Sequence, residues 1–258
     1  MDGMDVLTAI ILAIVEGLTE FLPVSSTGHT ILVATILNVA QSPFVKSFEI
    51  ALEFGSILSV IVLYWRMLLN LAVLKRLIVA FIPTGIIGLL LYKVFKQILF
   101  GNEQIVLWSL LLGGIFLIVF ELFYHERSEI DDISKIPYKH CLLIGLFQAI
   151  SIIPGVSRSA PTIMGGLALG MKRQTIVMFS FLLAVPTMIA ASGFDLVESA
   201  GSFTSGQVGI LLIGFVTSFL VALLAIKLFL NYVKTHNFIV FGVYRILLVV
   251  AFYFLVIL

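Results

Sequence analysis

Two carboxylates lie near the start of the chain at a spacing that suits chemistry on a charged substrate. Glu16 and Glu20 are four residues apart, so they share one face of a helix. Like charges at this spacing repel each other, and the surrounding stretch is otherwise apolar. Ionisable groups inside a membrane are functional by default. At least one of these carboxylates is therefore expected to be protonated or to bind a metal cation, unless this end of the helix faces water.

A hydroxyl-rich turn follows these carboxylates. Ser25, Ser26, Thr27 and Gly28 precede an apolar segment, and such residues are common at the N-terminal cap of a helix. Free backbone N–H groups and the helix dipole at this position bind anions, phosphate in particular. His29 comes next and could donate or accept a proton. The turn indicates a phosphate site, although an ordinary helix cap has the same residue types.

A second polar turn contains an arginine within apolar sequence. Arg158 lies between Ser157 and Ser159, three residues after Gly155. An arginine inside a membrane needs an anionic partner, and its planar guanidinium suits phosphate through two parallel hydrogen bonds. The alternative partner is one of the two carboxylates described above. Either interpretation brings the two polar turns together.

Three further charged residues lie within apolar segments. Glu49 and Glu53 repeat the four-residue spacing just before Gly55, where they could extend the site or close its outer mouth. Arg245 lies in the last apolar segment and could pair with a carboxylate in the site. A purely structural pair, or a cation that reaches the membrane surface, explains Arg245 equally well.

The composition defines the class of protein that must position these residues. Of 258 residues, 61% are hydrophobic and 11% are charged, and the mean hydropathy is +1.20. Soluble domains carry about 25% charged residues, so a soluble enzyme is excluded, as is a disordered chain. The net charge of +1 gives no basic face for nucleic acid. The single cysteine, Cys141, cannot form an intrachain disulfide.

The hydropathy pattern predicts an all-α polytopic membrane protein that forms a single domain over residues 1–258. A helix needs about 20 apolar residues to cross the hydrocarbon core, and about six segments qualify: 44–65, 77–95, 104–124, 174–193, 207–230 and 238–257. Two other apolar stretches, 4–40 and 138–170, are each interrupted by a polar turn. We expect them to be re-entrant helical hairpins, because irregular backbone at membrane depth must line protein or a polar cavity.

The two interrupted stretches also form a weak internal repeat. Ser25 matches Ser157 and Glu16 matches Gln148, both at a separation of 132 residues. This spacing predicts one repeat over about 1–124 and a second over about 138–258. Paired broken segments in two halves of a membrane protein mark its binding site.

The distribution of basic residues predicts that the repeats are inverted. With segment 66–76 in the cytoplasm, the segments 125–140, 170–175 and 227–237 are cytoplasmic too. Ten of the fifteen Lys and Arg residues then lie on that side, as the positive-inside rule requires: Arg66, Lys75, Arg76, Arg127, Lys135, Lys139, Lys172, Arg173, Lys227 and Lys234. Residues 194–206 are expected to form a loop on the outside, because their only charges are acidic. The two hairpins would enter from opposite faces, with their tips meeting inside the membrane.

The motifs resemble those of a known family. The run from Glu16 to His29 is similar to the first signature of the undecaprenyl-diphosphatase family of the bacitracin-resistance type, and the run from Pro154 to Ser159 to its second. The segments 48–66 and 244–246 also resemble family sequence, so the likeness covers essentially the whole chain. It implies an integral membrane phosphatase that removes the terminal phosphate of a polyprenyl diphosphate. The product would be the monophosphate lipid carrier of cell-envelope glycan synthesis, including peptidoglycan.

Cofactor, location and partners follow from the same resemblance. It implies a divalent cation, Mg²⁺ or Ca²⁺, and a site that opens to the outer face of the plasma membrane. The expected partners are the polyprenyl diphosphate and membrane lipids, with no nucleic acid. The oligomeric state is left open, with a homodimer as one candidate.

The motifs and the resemblance together lead to a mechanistic hypothesis. Ser26 attacks the terminal phosphorus or orders the water that does, and Glu20 acts as general base or metal ligand beside Glu16. His29 assists proton transfer, and Arg158 stabilises the equatorial oxygens in the transition state. The expected substrate-binding residues are Ser25, Thr27, Gly28, Gly155, Ser157, Ser159, Glu49, Glu53 and Arg245. A transporter or flippase of a lipid phosphate is the alternative, because inverted repeats with broken helices are typical of carriers.

Overall fold

The structure is a computed structural model that describes residues 4–40, 42–98, 103–125, 129–199 and 205–254. These ranges contain ten α-helices and two short 3₁₀ turns, which confirms the all-α prediction. In chain order the helices are α1 (Val6–Thr19), α2 (Ser26–Ile36), α3 (Pro43–Leu68), α4 (Leu71–Ile98), α5 (Glu103–Phe123), α6 (Tyr138–Ala149), α7 (Ser159–Ala168), α8 (Arg173–Ser199), α9 (Ser205–Tyr232) and α10 (Ile239–Phe252).

Five of these helices, α3, α4, α5, α8 and α9, are long and apolar enough to cross a membrane. The chain is therefore a multi-pass membrane protein. The sixth predicted span, 238–257, corresponds to α10, which has 14 residues; residues 255–258 lie outside the described part. The prediction that 194–206 is a loop is wrong up to Ser199, because α8 continues to that residue. Residues 200–204 of that segment lie outside the described ranges.

The two interrupted stretches form broken helix pairs as predicted. In the first, Asp5 is the N-cap of α1, and its side chain accepts a hydrogen bond from the Thr8 amide at 2.7 Å; α1 ends at Thr19. In the second, α6 ends in the 3₁₀ turn Ile150–Ile152. We call α1 with α2 hairpin 1, and α6 with α7 hairpin 2. Pro161 lies in the first turn of α7, where a missing backbone N–H leaves no hydrogen bond unmade.

The two halves of the chain are interleaved in a matched pattern. Hairpin 1 packs through α1 against α9 of the second half, and hairpin 2 packs through α6 against α4 of the first. Glycines allow both approaches: a Cβ at Gly17 would lie 2.7 Å from the Ser218 carbonyl oxygen, and one at Gly145 would overlap that of Ala80. Small residues let helix backbones approach closely inside membranes. Between the hairpins, α3 packs against α8.

The segments that were predicted to be cytoplasmic lie next to one another. The Arg76 Nε donates to the Ile136 carbonyl at 2.7 Å, and Lys172 pairs with Asp131 at 3.0 Å. The Lys172 ammonium lowers the pKa of the exposed Asp131 carboxyl. On the same side, Glu121 at the end of α5 pairs with Arg173. The segments 66–76, 129–140 and 170–175 therefore share one end of the helix bundle.

Candidate active site

The turn of hairpin 1 has the predicted helix cap. Ser25 is the N-cap of α2, and its side-chain oxygen accepts a hydrogen bond from the Gly28 amide at 3.3 Å. Ser25 has a φ of 69°, a backbone conformation that is uncommon for residues other than glycine. Ser25, Ser26 and Gly28 are buried, whereas Thr27 is exposed. The turn places Ser26 at the first position of the helix, beside the carboxylates of α1.

Ser26 and Glu20 form a short hydrogen bond. The Ser26 hydroxyl donates to Glu20 Oε2 at 2.5 Å, and both residues are buried. Short bonds of this kind are typical of a hydroxyl that donates to a carboxylate. The hydroxyl proton therefore already points at a group that can accept it. This geometry fits the predicted pairing of a nucleophile, or of a residue that orders water, with a base.

Arg158 links hairpin 2 to hairpin 1. Its Nη2 donates to Glu20 Oε1 at 3.2 Å, and its Nη1 donates to the Ser180 carbonyl of α8 at 2.9 Å. The Arg158 side chain is 11% exposed. Its Nε–H is buried and meets no acceptor within the described residues. Glu20 is therefore the anionic partner that was expected for this arginine, and one further N–H remains for an anionic ligand.

The serines on either side of Arg158 dock the second tip onto the first. Ser159 Oγ donates to the Leu22 carbonyl at 3.0 Å, and the Ser157 hydroxyl lies 3.1 Å from that of Ser159. In the structure both serines join the two hairpins, and their predicted role in substrate binding stays a prediction. Ser157 has a φ of 80°, like Ser25 at the matching position 132 residues earlier. The agreement supports the register of the predicted repeat.

Four carboxyl groups interact around the site. Glu16 is buried one helical turn before Glu20, and it interacts electrostatically with Glu20 and with Glu53 and Glu49 of α3. Glu53 accepts a hydrogen bond from the Ser192 hydroxyl of α8. The structure therefore places Glu49 and Glu53 near the carboxylate pair, and their predicted role, to extend the site or to close its outer mouth, stays a prediction.

His29 is held between hairpin 1 and α10. Its Nδ1 lies 2.7 Å from the Ser25 carbonyl oxygen, and its Nε2 lies 2.8 Å from the Tyr244 hydroxyl. The two rings are nearly parallel, with an interplanar angle of 5°. Sequence reasoning missed Tyr244 as part of the site. Its only sequence signal is that it precedes Arg245 within a segment that resembles the family.

Arg245 is fully buried and binds backbone rather than a carboxylate. Its Nη2 donates to the carbonyls of Gly155 at 2.7 Å and Ser109 at 3.1 Å, and its Nη1 donates to that of Val156 at 3.2 Å. The expectation that it binds substrate receives no support from these contacts. The structural interpretation fits, because Arg245 fixes the turn that precedes Arg158. Gly155, with a φ of 88°, packs against α5, where a Cβ would lie 2.7 Å from the Val106 carbonyl oxygen.

The described residues suit a divalent cation only in part. They contain no group of three or more His, Cys, Asp or Glu side chains arranged to hold a metal ion. Glu16 and Glu20 nevertheless supply two adjacent buried carboxylates. Mg²⁺ is commonly bound by one or two carboxylates together with substrate phosphates rather than by a complete protein cage. The pair fits a cation that shares its ligands with a phosphorylated substrate.

The fold and the site together define a class of protein. This is a multi-pass helical membrane protein in which two broken helix pairs meet tip to tip. At the junction a serine donates a hydrogen bond to a carboxylate, an arginine has an N–H group that meets no acceptor among the described residues, and a helix begins. The chain belongs to the family described as bacitracin resistance protein BacA, whose model matches residues 9–251.

Curated relatives are similar along their whole length. A protein of Aquifex aeolicus named undecaprenyl-diphosphatase is 52% identical over 250 residues, which is 96% of this chain and 98% of that protein. One of Persephonella marina with the same name is 51% identical over 247 residues, 95% and 96% of the two chains. A third, of Methanococcus aeolicus, is 45% identical over 246 residues, with the same coverage.

Proposed function

We propose that this chain is an undecaprenyl-diphosphate phosphatase that releases the terminal phosphate and leaves undecaprenyl phosphate. The observation that carries the proposal is the contact between the hairpins, where Glu20 binds both Ser26 and Arg158. A diphosphate in a site of low dielectric needs cationic and N–H donors to offset its charge. The curated relatives are named for undecaprenyl diphosphate as their substrate. Because this chain belongs to the same family, we expect it to hydrolyse the same substrate.

Ser26 and Glu20 supply the attacking oxygen and its base. In one route the Ser26 hydroxyl proton passes to Glu20 as the serine oxygen attacks the terminal phosphorus. In the other, Ser26 orders a water, and as that water attacks, its proton passes through the serine hydroxyl to Glu20. In the first route the anhydride P–O bond breaks, undecaprenyl phosphate leaves, and water then hydrolyses the phosphoserine. In the second route water forms the new P–O bond directly. Both routes consume one water and yield undecaprenyl phosphate and inorganic phosphate.

Arg158 and the helix cap stabilise the charge that builds on the phosphoryl oxygens. The free Nε–H of Arg158 and its Nη2, once released from Glu20, form the planar fork that matches two phosphate oxygens. Backbone N–H groups in the first turn of α2 add donors that are fixed before the reaction. These groups act in phosphoryl transfer by positioning and by electrostatics.

Glu16 and Glu20 would hold the divalent cation, Mg²⁺ or Ca²⁺. When bound, the cation neutralises charge on the diphosphate oxygens. Glu49 and Glu53 lie on the adjacent helix, where they repel anions that approach without a cation.

The protein is proposed to lie in the plasma membrane as an inverted repeat, with the site open to the outer face. The matched packing of α1 on α9 and of α6 on α4 supports the repeat. The gathering of predicted cytoplasmic segments at one end of the bundle supports the orientation. The isoprenoid tail would remain among the apolar, lipid-facing helix surfaces while the diphosphate reaches the hairpin tips.

Phosphate release tests the proposal directly. Purified protein in detergent is incubated with undecaprenyl diphosphate, with and without a chelator, and inorganic phosphate is measured. The proposal predicts release that stops with chelator and returns with added Mg²⁺ or Ca²⁺. A transporter or flippase without hydrolase activity would release no phosphate under any of these conditions, and that result would overturn the proposal.

A matched pair of serine variants assigns any activity to this site. Ser26→Ala removes the hydroxyl that donates to Glu20. Ser47→Ala removes a buried hydroxyl on α3 that only donates to the Pro43 carbonyl of its own helix. Phosphate release should fall strongly in the first variant and stay near the wild-type rate in the second. Equal rates in both variants would place the chemistry elsewhere.

A further inference from the structure

We infer that Tyr244 is a positioning residue of this site and acts through His29. The inference rests on the proposed function and adds a residue to it from the last helix of the chain. The Tyr244 hydroxyl lies 2.8 Å from His29 Nε2, although the two residues are 215 positions apart. His29 is 5% exposed, whereas Tyr244 is 43% exposed. The tyrosine therefore reaches from the outer surface of the bundle to a buried imidazole.

The contacts of His29 fix its tautomer. A backbone carbonyl oxygen only accepts hydrogen bonds, so the nitrogen facing the Ser25 carbonyl must carry the proton. That nitrogen is Nδ1. In the neutral ring Nε2 is then an acceptor, and the Tyr244 hydroxyl is its donor. Without this donor Nε2 would lack its partner, and the ring could rotate or change tautomer.

The same contacts connect Tyr244 to the reactive serine. Ser25, which accepts from His29, has the unusual φ of 69° and caps α2 through Gly28. Backbone in this region persists only where the surrounding structure holds it. The next residue, Ser26, donates to Glu20. The Tyr244 hydroxyl thus holds the His29 ring, and the ring donates to the Ser25 carbonyl of the strained turn. This turn in turn fixes the position of Ser26.

Arg245, the next residue along α10, contacts the second hairpin in a similar way. Arg245 donates to the carbonyls of Gly155 and Val156 in the turn before Arg158. Consecutive residues of α10 therefore hold both tips, one through a histidine and one directly. Helix α10 therefore helps to align the two hairpin tips, although it lies far from both in sequence.

The test is a double-mutant cycle with a matched tyrosine control. Tyr244→Phe removes only the hydroxyl, and we expect kcat for undecaprenyl diphosphate to fall about tenfold or more, the scale of losing a partner that orients a functional imidazole. KM should change far less than kcat. On a His29→Gln background the same change should alter kcat less than about twofold, because the two act as one unit. Tyr253→Phe, at the C-cap of the same helix and 48% exposed, should leave kcat unchanged.

The outcomes separate this inference from the proposed function. A wild-type protein that releases no phosphate contradicts the function. An active wild-type with an equally active Tyr244→Phe variant, or with additive effects in the cycle, overturns the positioning role alone. The ¹⁵N spectrum of histidine-labelled protein gives a readout that needs no activity, with His29→Gln used for assignment. It should show His29 protonated at Nδ1, with an Nε2 signal that shifts in Tyr244→Phe. A wild-type ring protonated only at Nε2 would contradict the inference.

Discussion

Arg158 Nη2 lies 3.2 Å from Glu20 Oε1 across 138 residues of sequence. The contact joins the tip of hairpin 2 to that of hairpin 1. Hairpin 1 supplies the carboxylates and the serine that donates to Glu20, and hairpin 2 supplies the guanidinium group of Arg158. A buried ion pair also requires its partners to be well fixed, which Ser180 and Ser26 provide through their own hydrogen bonds.

Replacement of Arg158 by lysine should separate charge from geometry. Arg158→Lys keeps a positive charge but loses the planar fork and the free Nε–H. Removal of a preorganised donor to developing charge costs about 10²–10³ in kcat, and we expect a loss in that range from steady-state phosphate release. Arg66→Lys, at an exposed position on α3, is the matched control. An Arg158→Lys variant with more than half the wild-type kcat would contradict the assigned role.

Ser26→Ala distinguishes the two routes for attack. If Ser26 is the nucleophile, phosphate release stops and rapid quenching of the wild-type with ³²P-labelled substrate traps a phosphoserine. If Ser26 only orders water, residual turnover remains and no phosphoprotein forms. Full activity of the alanine variant would remove Ser26 from the chemistry.

Gly113→Ala should disturb the anchor of hairpin 2. A Cβ at Gly113 would lie 2.5 Å from Nη2 and 2.8 Å from Cζ of Arg245. The guanidinium is fully buried and held by three carbonyls, so it cannot move aside freely. Overpacking of this kind costs about 1–3 kcal/mol, and thermal unfolding should occur at a lower temperature together with a fall in activity. Gly209→Ala on α9, where nothing lies within 4 Å, should unfold at the wild-type temperature or slightly above it.

Glu16→Gln tests the carboxylate pair as a cation site. Loss of one of two carboxylate ligands should raise the Mg²⁺ or Ca²⁺ concentration that gives half-maximal phosphate release. Titration of the metal after chelator treatment measures this change. Glu129→Gln, at an exposed position, serves as the control. An unchanged metal requirement in Glu16→Gln would place the cation elsewhere.

Much of the fold followed from local sequence signals. Apolar length predicted the long helices, and the serine-, glycine- and proline-rich turns predicted where the hairpins break, because such residues favour caps and turns over helix interiors. The repeat spacing also paired Ser25 with Ser157, the two serines with positive φ. The extension of α8 to Ser199 was not predicted, because apolar length defines the predicted span and the helix continues past it into sequence that carries acidic residues.

The sequence predicted the contacts within one hairpin but not the contacts between distant helices. Residues within one hairpin, such as Glu20 and Ser26, could be associated because the chain itself keeps them close. The partner of His29 comes from α10, and that of Arg245 comes from the turn of hairpin 2. These contacts depend on which faces of distant helices meet, and no local pattern encodes that choice. The contacts of the serines beside Arg158 with each other and with the Leu22 carbonyl could not be predicted either, since a hydroxyl in sequence does not indicate which groups it will face.

The most direct test of the central claim is the single-turnover rate of Glu20→Gln on undecaprenyl diphosphate. Glutamine keeps the shape and an acceptor oxygen, but it cannot take the Ser26 proton or balance Arg158. General-base catalysis contributes about 10²–10⁴-fold, so phosphate release should slow by at least about 100-fold in a protein that unfolds near the wild-type temperature. A folded Glu20→Gln variant that retains more than half the wild-type rate would contradict the account.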